Sequence, residues 1–473
     1  MAKVNITYLF IIVIATAAAR AQLADILFPG LAKNARSFTN LLADQPLVQV
    51  ASQASGNVFS TLIQGLTAIP LATARSFHPT INFPSLLSDS NIVDYSQNIV
   101  TDFNVGSNNE DVRLNVAELI LKYGYPMERH RAVTEDGYIL QMFRIPSNGS
   151  AVFLMHGLLG SADDYVIAGP ESSLAYILAR EGYDVWLGNA RGNKHSRNHM
   201  EFKASDAIFW DFSWHEIGCY DLPAMIDYVL NITEQKSLKY IGHSQGTTSF
   251  FVMASERPEY NEKISLMVAL SPVAFMSHAN SPFVRLLSPT SNLLYGLLKS
   301  IGVYEFLPDS SLTRTMKQLM CGRGPLAEIL CSNVLFLMVG FGFDQLNVTN
   351  LPVIYSHVPS GASSKQFVHY GQGVISREFR QFDYGHSENV RRYGSSQPPK
   401  YNLKNIVAPI SLFYSDADWL SHPTDVDELY SHLDSAIDIY KIPLERFNHL
   451  DFIWAKDFEN IIYSRLRKLL MHF

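Results

Sequence analysis

The sequence carries little charge for its length and lacks the patterns that mark several classes of protein. Charged residues make up 17% of the 473-residue chain, and the net charge of -7 is spread along it rather than gathered in blocks. No basic stripe alternates with aromatic residues, so the electrostatic footprint of a nucleic-acid-binding protein is missing. Apart from one apolar run near the start, no segment has the composition of a transmembrane helix. Hydrophobic residues reach 47%, which is ample for a packed core.

Cysteine is scarce as well, with three residues in the chain: Cys219, Cys321 and Cys331. In an oxidising compartment, Cys321 and Cys331 are near enough in sequence to close a small loop, which would leave Cys219 unpaired. Sequence spacing does not establish the Cα separation that a disulfide requires, so three reduced, buried thiols are the alternative.

The apolar run near the start has the order of a secretory signal peptide. Lys3 precedes an apolar stretch from Ile6 to Ala19, and small residues at Ala19 and Ala21 form a cleavage pattern. The pattern predicts a signal peptide over residues 1–21, cut after Ala21, with no stable transmembrane segment afterwards. The alternative is a retained signal anchor, although the run is shorter than a full span of ~20 residues. Entry into the secretory route gives a use to three glycosylation sequons, Asn148, Asn231 and Asn347.

Regular patterning begins only near Val112. Residues 22–110 are rich in Ser, Asn, Thr and Ala with weak periodicity, and we expect a propeptide or a loosely ordered extension there. Beyond it, short β-rich runs alternate with helical stretches, which predicts an α/β fold with a largely parallel sheet and helices on both faces. The predicted strands are 151–155, 184–187, 238–241, 266–270, 410–414 and 437–442, and helices are predicted over 172–180 and 221–230.

The alternation fails between residues 274 and 399, where apolar helical stretches such as 326–338 follow one another without regular strands. We expect a helical cap here, inserted into a catalytic domain formed by residues 111–273 and 400–473. Runs such as 293–298 and 334–343 carry more apolar surface than a solvated insertion could expose. They therefore either pack as a second core or form a mobile lid that meets lipid.

The central chemical signal is a Gly-x-Ser-x-Gly pentapeptide at 242–246, whose serine is Ser244. It directly follows the predicted strand 238–241 and precedes a helical run, which is the context of a nucleophile elbow. Small residues on either side of the serine let the backbone make this strained turn while the hydroxyl stands exposed. The bare motif is only moderately specific, but its context predicts a serine nucleophile.

A serine nucleophile needs an imidazole base and a carboxylate that orients the base. In the Ser, acid, His chain order, both partners lie on loops after late strands. The first such loop offers Asp416 and Asp418 for the acid, and the second offers His449 for the base. His422 and His432 also follow the acid, but neither has a late strand of its own before it.

An oxyanion formed on the substrate carbonyl requires two backbone N–H donors. One belongs to the residue after the nucleophile, Gln245. The second is expected from the loop after strand 151–155, where Gly157 lets the backbone turn so that the amide of Leu158 faces the serine. An ordinary glycine turn is the alternative for this loop.

With these residues in place, the chain resembles the acid lipase family that contains gastric lipase and lysosomal acid lipase. The resemblance runs from about residue 112 to the end and rests on YGYP at 123–126, VTEDGYIL at 133–140, HGLL at 156–159, GYDVWLGN at 182–189, GHSQGTT at 242–248 and NHLDFIW at 448–454. It implies an α/β-hydrolase fold with Ser244 as nucleophile, Asp418 rather than Asp416 as acid, His449 as base, and Leu158 and Gln245 as oxyanion donors.

The resemblance also implies a function and a cellular setting. The implied enzyme is a secreted or lysosomal serine lipase that hydrolyses triacylglycerols or cholesteryl esters at a lipid–water interface, without a cofactor or metal. The family's cysteine pair is matched by Cys321 and Cys331 at a slightly different spacing, whereas residues 22–110 have no counterpart in the short family proregion. The alternatives are a catalytically silent lipid-binding or storage protein on the same fold, or a soluble carboxylesterase or peptidase.

Overall fold

The computed structural model describes residues 109–281, 284–285, 288–300, 302–307, 339–340, 342 and 344–473. The predicted signal peptide, nearly all of the predicted extension 22–110, both Cys321 and Cys331, and the helical stretch 326–338 lie outside the described residues.

A nine-stranded sheet forms the centre of the molecule, in the order β1-β2-β4-β3-β6-β7-β10-β11 with β5 paired to β2. Its strands are β1 (Glu128–Val133), β2 (Tyr138–Ile145), β3 (Ala151–Met155), β4 (Asp184–Leu187), β5 (Asn198–His199), β6 (Leu238–His243), β7 (Ile264–Leu270), β10 (Ile410–Tyr414) and β11 (Ala436–Lys441). The pairs from β4 through β11 are parallel, whereas β1, β2 and β5 pair antiparallel. Two further strands, β8 (Glu305–Phe306) and β9 (Ala362–Ser363), form a separate antiparallel pair.

All six strands predicted from the sequence are present, with bounds that match or differ by one or two residues. The prediction of a largely parallel α/β sheet is confirmed. The antiparallel strands β1 and β2 are not predicted. In β1, which reads ERHRAV at the sheet edge, exposed side chains alternate with side chains that are mostly only partly buried. An edge strand of this kind lacks the continuous apolar run that marks a strand buried on both faces.

Helices follow most of the strands. They are α1 (Val116–Lys122), α2 (Leu174–Arg180), α3 (Trp214–Glu216), α4 (Leu222–Thr233), α5 (Gln245–Glu256), α6 (Ser291–Ser300), α7 (Leu351–His357), α8 (Ser364–Ser376), α9 (His386–Tyr393), α10 (Pro423–Ser431), α11 (Asp451–Trp454) and α12 (Ser464–His472). The predicted helix 172–180 begins at Leu174, and the predicted helix 221–230 corresponds to α4, with Pro223 in its first turn. A π-helical turn, Ile217–Asp221, joins α3 to α4.

The core lies on both faces of the sheet, as the apolar strands require. In β3, Phe153 packs into one cluster, whereas its neighbours Val152 and Leu154 pack into the other. Successive side chains of a strand point to opposite faces, so a strand covered on both sides is apolar along most of its length rather than at every second residue. Burial of both faces makes the sheet a rigid platform for the loops at its carboxyl edge.

The helices between β7 and β10 are tied to the rest of the molecule by buried polar contacts. Lys365 of α8 is buried and pairs with Asp211 at 2.9 Å. His357, the last residue of α7, has Nδ1 2.5 Å from the buried carboxylate of Asp163. In the part of the chain that the structure describes, no helix is both long and apolar enough to cross a membrane.

Candidate active site

Ser244 lies in a sharp turn between β6 and α5, with φ +52° and ψ -118°. A non-glycine residue in this region of backbone space is strained and is held there by its surroundings. The flanking glycines make the turn possible: a Cβ on Gly246 would lie 2.3 Å from the carbonyl oxygen of Met155, and one on Gly242 would lie 2.8 Å from the carbonyl carbon of Gly246. The strand–turn–helix context expected of a nucleophile elbow is present.

Asp418 and His449 form a buried pair on the loops after β10 and β11. Nδ1 of His449 lies 2.9 Å from Oδ2 and 3.0 Å from Oδ1 of Asp418. Oδ1 also accepts the backbone N–H groups of Leu420 and Ser421, both at 2.9 Å. Burial alone raises the pKa of Asp418, but the charge and hydrogen bond of His449, together with the other donors, hold the pKa below its usual value. The carboxyl is therefore ionised at neutral pH.

His449, the candidate base, is anchored beside Ser244 through His243, the residue before Ser244. Nε2 of His243 donates to the backbone carbonyl of His449 at 2.9 Å, and the two ring centroids lie 4.9 Å apart. Burial, and then the charge of His449, lower the pKa of His243 to about 3, so this ring is neutral. Because Asp418 engages Nδ1 of His449, Nε2 is the ring nitrogen that remains available to a partner other than Asp418.

The other candidates from the sequence lie elsewhere. Asp416 is 53% exposed and pairs with Lys441 at 2.6 Å. His422 is the N-cap of α10, where Nδ1 accepts the backbone N–H of Thr424. His432 is exposed at the end of the same helix. Only Asp418 and His449 meet each other among these five carboxylates and histidines.

The loop after β3 approaches Ser244 from the other side. A Cβ on Gly157 would lie 3.1 Å from Cβ and 3.5 Å from Oγ of Ser244, so this position leaves room for the reacting group. The carbonyl of Gly157 accepts Nδ1–H of His156 at 2.7 Å and the N–H of Gly160 at 3.1 Å. The carbonyl and the next N–H of one peptide unit point in opposite directions, so these bonds turn the Leu158 amide away from His156.

His156 can hold this peptide because its tautomer is defined by its surroundings. Its Nε2 accepts the backbone N–H of Ala190 at 3.1 Å, which leaves the proton on Nδ1. Burial lowers the pKa of His156 to about 4, so the ring is neutral near pH 7. Gln245, the other expected donor, is the first residue of α5 and is buried beside Ser244.

A cavity of about 130 Å³ opens on Ser244. Its walls are mostly apolar and include Leu158 from the loop after β3, Val273 after β7, and Phe367 and Tyr370 from α8. Helix α6 contributes Leu298, so the segment between β7 and β10 supplies much of the lining. A cavity of this character accepts a hydrocarbon chain and discriminates against polar groups.

Sequence reasoning missed three side chains that support the site: His156, His243 and Ser271. All three are buried: His156 bonds within the loop after β3 (residues 156–160, here called the oxyanion loop after its proposed role), and His243 and Ser271 contact the Asp418–His449 pair (here called the charge pair). Their common signal is position, because each directly follows or ends a parallel strand at the carboxyl edge, where functional side chains of such sheets collect.

Similarity to known proteins places the chain among α/β hydrolases. Residues 116–169 match the family described as partial alpha/beta-hydrolase lipase region, and residues 150–295 match the alpha/beta hydrolase fold. The chain is 43% identical to Lipase 1 of Drosophila melanogaster, over 76% of this chain and 80% of that protein. It is 40% identical to gastric triacylglycerol lipase of Bos taurus, over 76% of this chain and 92% of that protein.

Identity to human lysosomal acid lipase/cholesteryl ester hydrolase is 38%, over 76% of this chain and 91% of that protein. The chain belongs to the family of lipases that contains these three relatives. The resemblance stated from the motifs is thereby confirmed, and the lipase is a carboxylic ester hydrolase. A solved structure from Sulfolobus solfataricus is 14% identical to this chain and aligns with a TM-score of 0.50. The alignment covers 73% of this chain and 94% of the solved one, and it supports the fold alone.

Proposed function

We propose that the lipase hydrolyses triacylglycerols or cholesteryl esters through an acyl-enzyme formed on Ser244, with His449 as base and Asp418 as its orienting acid. The observation that carries the proposal is the buried Asp418–His449 pair beside a strained nucleophile turn that opens into an apolar cavity. The cavity suits the acyl chain of a lipid ester, and its walls offer little to a polar substrate.

The proposed reaction has two halves. Ser244 Oγ attacks the ester carbonyl while its proton passes to Nε2 of His449, and the N–H groups of Leu158 and Gln245 receive the oxyanion. The tetrahedral intermediate collapses as His449 returns the proton to the leaving alcohol. Water then attacks the acyl-enzyme by the same route in reverse order, which releases the fatty acid and restores Ser244.

The substrate class is tested with purified protein assayed on emulsified triolein, emulsified cholesteryl oleate and a short water-soluble ester. We expect hydrolysis of at least one lipid ester with a kcat/KM well above that for the soluble ester. Ser244→Ala is the control, and we expect it to lose about 10⁴-fold or more in rate. Preference for the soluble ester would favour a carboxylesterase, and no hydrolysis of any ester would favour a silent lipid-binding protein.

The domain division expected from the sequence is part of the proposal: a catalytic domain of residues 111–273 and 400–473, with residues 274–399 as a cap. The described helices α6 and α8 of that segment line the cavity on one side. On the other, they carry exposed apolar side chains, Leu293 at 71% and Ile375 at 58%. A cap with an apolar inner wall and apolar outer positions suits an enzyme that works against a lipid surface.

We also propose that the lipase enters the secretory route through the signal peptide 1–21 and is secreted or lysosomal. Support comes from exposure of all three sequon asparagines, Asn148, Asn231 and Asn347. Expression in a eukaryotic secretory host should give material whose mass falls on treatment with an N-glycosidase. Replacing each asparagine by Gln assigns the sites, and unglycosylated protein retained in the cytosol would contradict the proposal.

A disulfide between Cys321 and Cys331 belongs to the same proposal. Cys219 is buried and unpaired among the described residues, and burial raises the pKa of its thiol. Non-reducing peptide mapping of secreted protein should find one bridged peptide pair and one free thiol at Cys219. Free thiols at all three positions would remove the bridge.

A further inference from the structure

Ser271 lies directly after β7, at the edge of the sheet that also carries Ser244, and the proposed reaction does not use it. Its backbone N–H donates to the carbonyl of Phe413 in β10 at 2.8 Å, and the residue is fully buried. Its φ is +55°, in the left-handed region that favours glycine. A serine in this strained conformation provides a hydroxyl that the conformationally easier glycine would lack.

Both partners of the Ser271 hydroxyl belong to the charge pair. Ser271 Oγ donates to Oδ2 of Asp418 and lies 2.6 Å from Nδ1 of His449. An ionised carboxylate only accepts hydrogen bonds, so the single hydroxyl proton goes to Asp418 and an oxygen lone pair faces His449. The Nδ1–H of His449 therefore meets acceptors on both sides, Ser271 Oγ and the Asp418 carboxylate.

We propose that Ser271 is a positioning residue that holds the proton of His449 on Nδ1 and fixes the plane of the ring, so that Nε2 faces Ser244. The inference rests on the proposed function, because it takes His449 as the base. Among the described residues that line the cavity, Ser244 is present and Ser271 is not. Ser271 thus acts on the base from the side opposite the substrate.

Loss of the hydroxyl should change the pH profile as well as the rate. Asp418 would lose one hydrogen bond that stabilises its ionised form, so its carboxylate would be protonated more easily. With fewer donors around it, the carboxylate would also attract the protonated form of His449 more strongly. Both changes favour protonation of the acid–base pair, so the acid limb of kcat/KM should move to higher pH. The other titratable groups near the pair are His243 beside the nucleophile, Asp451 at the start of α11, and His422 before α10.

The test compares Ser271→Ala, Ser271→Gly and Ser271→Thr with the unmodified enzyme. Alanine removes the hydroxyl, glycine removes it while relieving the positive φ, and threonine keeps a hydroxyl. We expect the first two to lower kcat by about 10- to 100-fold with little change in KM, because the lost hydrogen bond is made to a charged pair. Ser271→Thr keeps the hydroxyl and should keep the original pH profile, although its branched Cβ is strained at this positive φ and should lower the stability of the fold.

Ser411→Ala is the matched control, because Ser411 is equally buried and its hydroxyl donates to Asp438, away from the pair. Reaction with a phosphonate ester, followed by peptide mapping, is run first on the unmodified enzyme. Failure to label Ser244 would overturn the proposed function and the role of Ser271 with it. Labelling of Ser244 together with an unchanged kcat and pH profile in Ser271→Gly would overturn the positioning role alone.

Discussion

Asp416 and Asp418 stand two residues apart on one loop, yet their surroundings differ completely. Asp418 is buried and accepts hydrogen bonds from His449, Ser271 and two backbone amides. Asp416 faces solvent and pairs with Lys441. A surface ion pair of this kind contributes little to stability, whereas a buried carboxylate that orients an imidazole has a direct effect on the rate.

This difference predicts opposite outcomes for two equivalent substitutions. Asp418→Asn should lower kcat by about 10⁴-fold, because an amide does not hold the productive tautomer of His449. Asp416→Asn should stay within about twofold of the unmodified enzyme, since it removes only a surface pair. Steady-state kinetics on one emulsified triglyceride measures both. Equal losses in the two variants would contradict the assignment of the acid.

Asp164, in the 3-10 turn after the oxyanion loop, is a buried carboxyl with one oxygen that lacks a hydrogen-bond partner. Burial, and then the charge of Asp163, raise its pKa to about 8. A carboxyl whose pKa is raised in the folded state favours folding in its protonated form. That contribution is fully present below the unfolded pKa of about 4 and is lost as the pH rises towards 8.

Asp164→Asn should therefore flatten the fall in stability between pH 4 and 8, because asparagine stays neutral. Its free energy of unfolding should exceed that of the unmodified enzyme more at pH 8 than at pH 5. Urea unfolding at several pH values measures the difference, with Asp416→Asn as a surface control. Part of the slope should persist, since burial also raises the pKa of Asp451 to about 7. Parallel curves for Asp164→Asn and the unmodified enzyme would rule out the role of Asp164.

The turn at Ser244 is constrained by packing between elements, because the start of α5 nearly touches the end of β3. The contact is between Gly246 and the carbonyl of Met155, where no side chain has room. Gly373 of α8 is the opposite case, since a Cβ there would meet nothing within 4 Å. Substitution of Gly246 therefore tests a requirement for close backbone approach, whereas substitution of Gly373 tests helix propensity alone.

Gly246→Ala should displace the turn, destabilise the fold by about 1–3 kcal/mol and abolish most of the activity. Gly373→Ala should leave activity unchanged and stabilise the protein by roughly 0.5–1 kcal/mol. Thermal unfolding and a soluble-ester assay on both variants test the pair. Normal activity in Gly246→Ala would mean that the turn tolerates a side chain and that the close contact is not required.

At the scale of the whole molecule, the central question is how substrate reaches a buried serine. Ser244 is nearly inaccessible, and the cavity in front of it is walled partly by α6 and α8. Ser360, which precedes α8, donates its N–H to the carbonyl of Leu159 at 2.8 Å, so the same segment also contacts the oxyanion loop. A rearrangement of the proposed cap would thus open the cavity and act on the oxyanion loop together.

If the cap is a lid, the rate on a medium-chain triglyceride should rise steeply once the substrate passes its solubility limit. Contact with the lipid surface would offset the cost of exposing the inner face of the lid. The measurement is initial rate against substrate concentration across that limit, with a fully soluble ester as the control substrate. A smooth hyperbolic curve through the limit would indicate that the segment is an ordinary second core.

The parallel strands and the nucleophile turn were predictable because they depend on local sequence. A strand buried on both faces is apolar along most of its length, so β3, β4 and β10 are visible as short, mostly apolar runs with exact bounds. The glycines around Ser244 reflect local backbone geometry in the same way. The edge strand β1 was not predictable, since its pairing with β2 rather than its own composition makes it a strand.

Sequence alone therefore determined the fold class, the family and a short set of candidate triad residues, because each of these depends on local patterns and motifs. Tertiary structure decided how those groups meet. Chain order left both Asp416 and Asp418 open and only the family resemblance favoured Asp418, whereas β10 and its loop turn Asp418 towards His449 and Asp416 towards Lys441. Ser271 has no motif of its own, and it acquires its partners only because the ends of β7, β10 and β11 converge at one edge of the sheet.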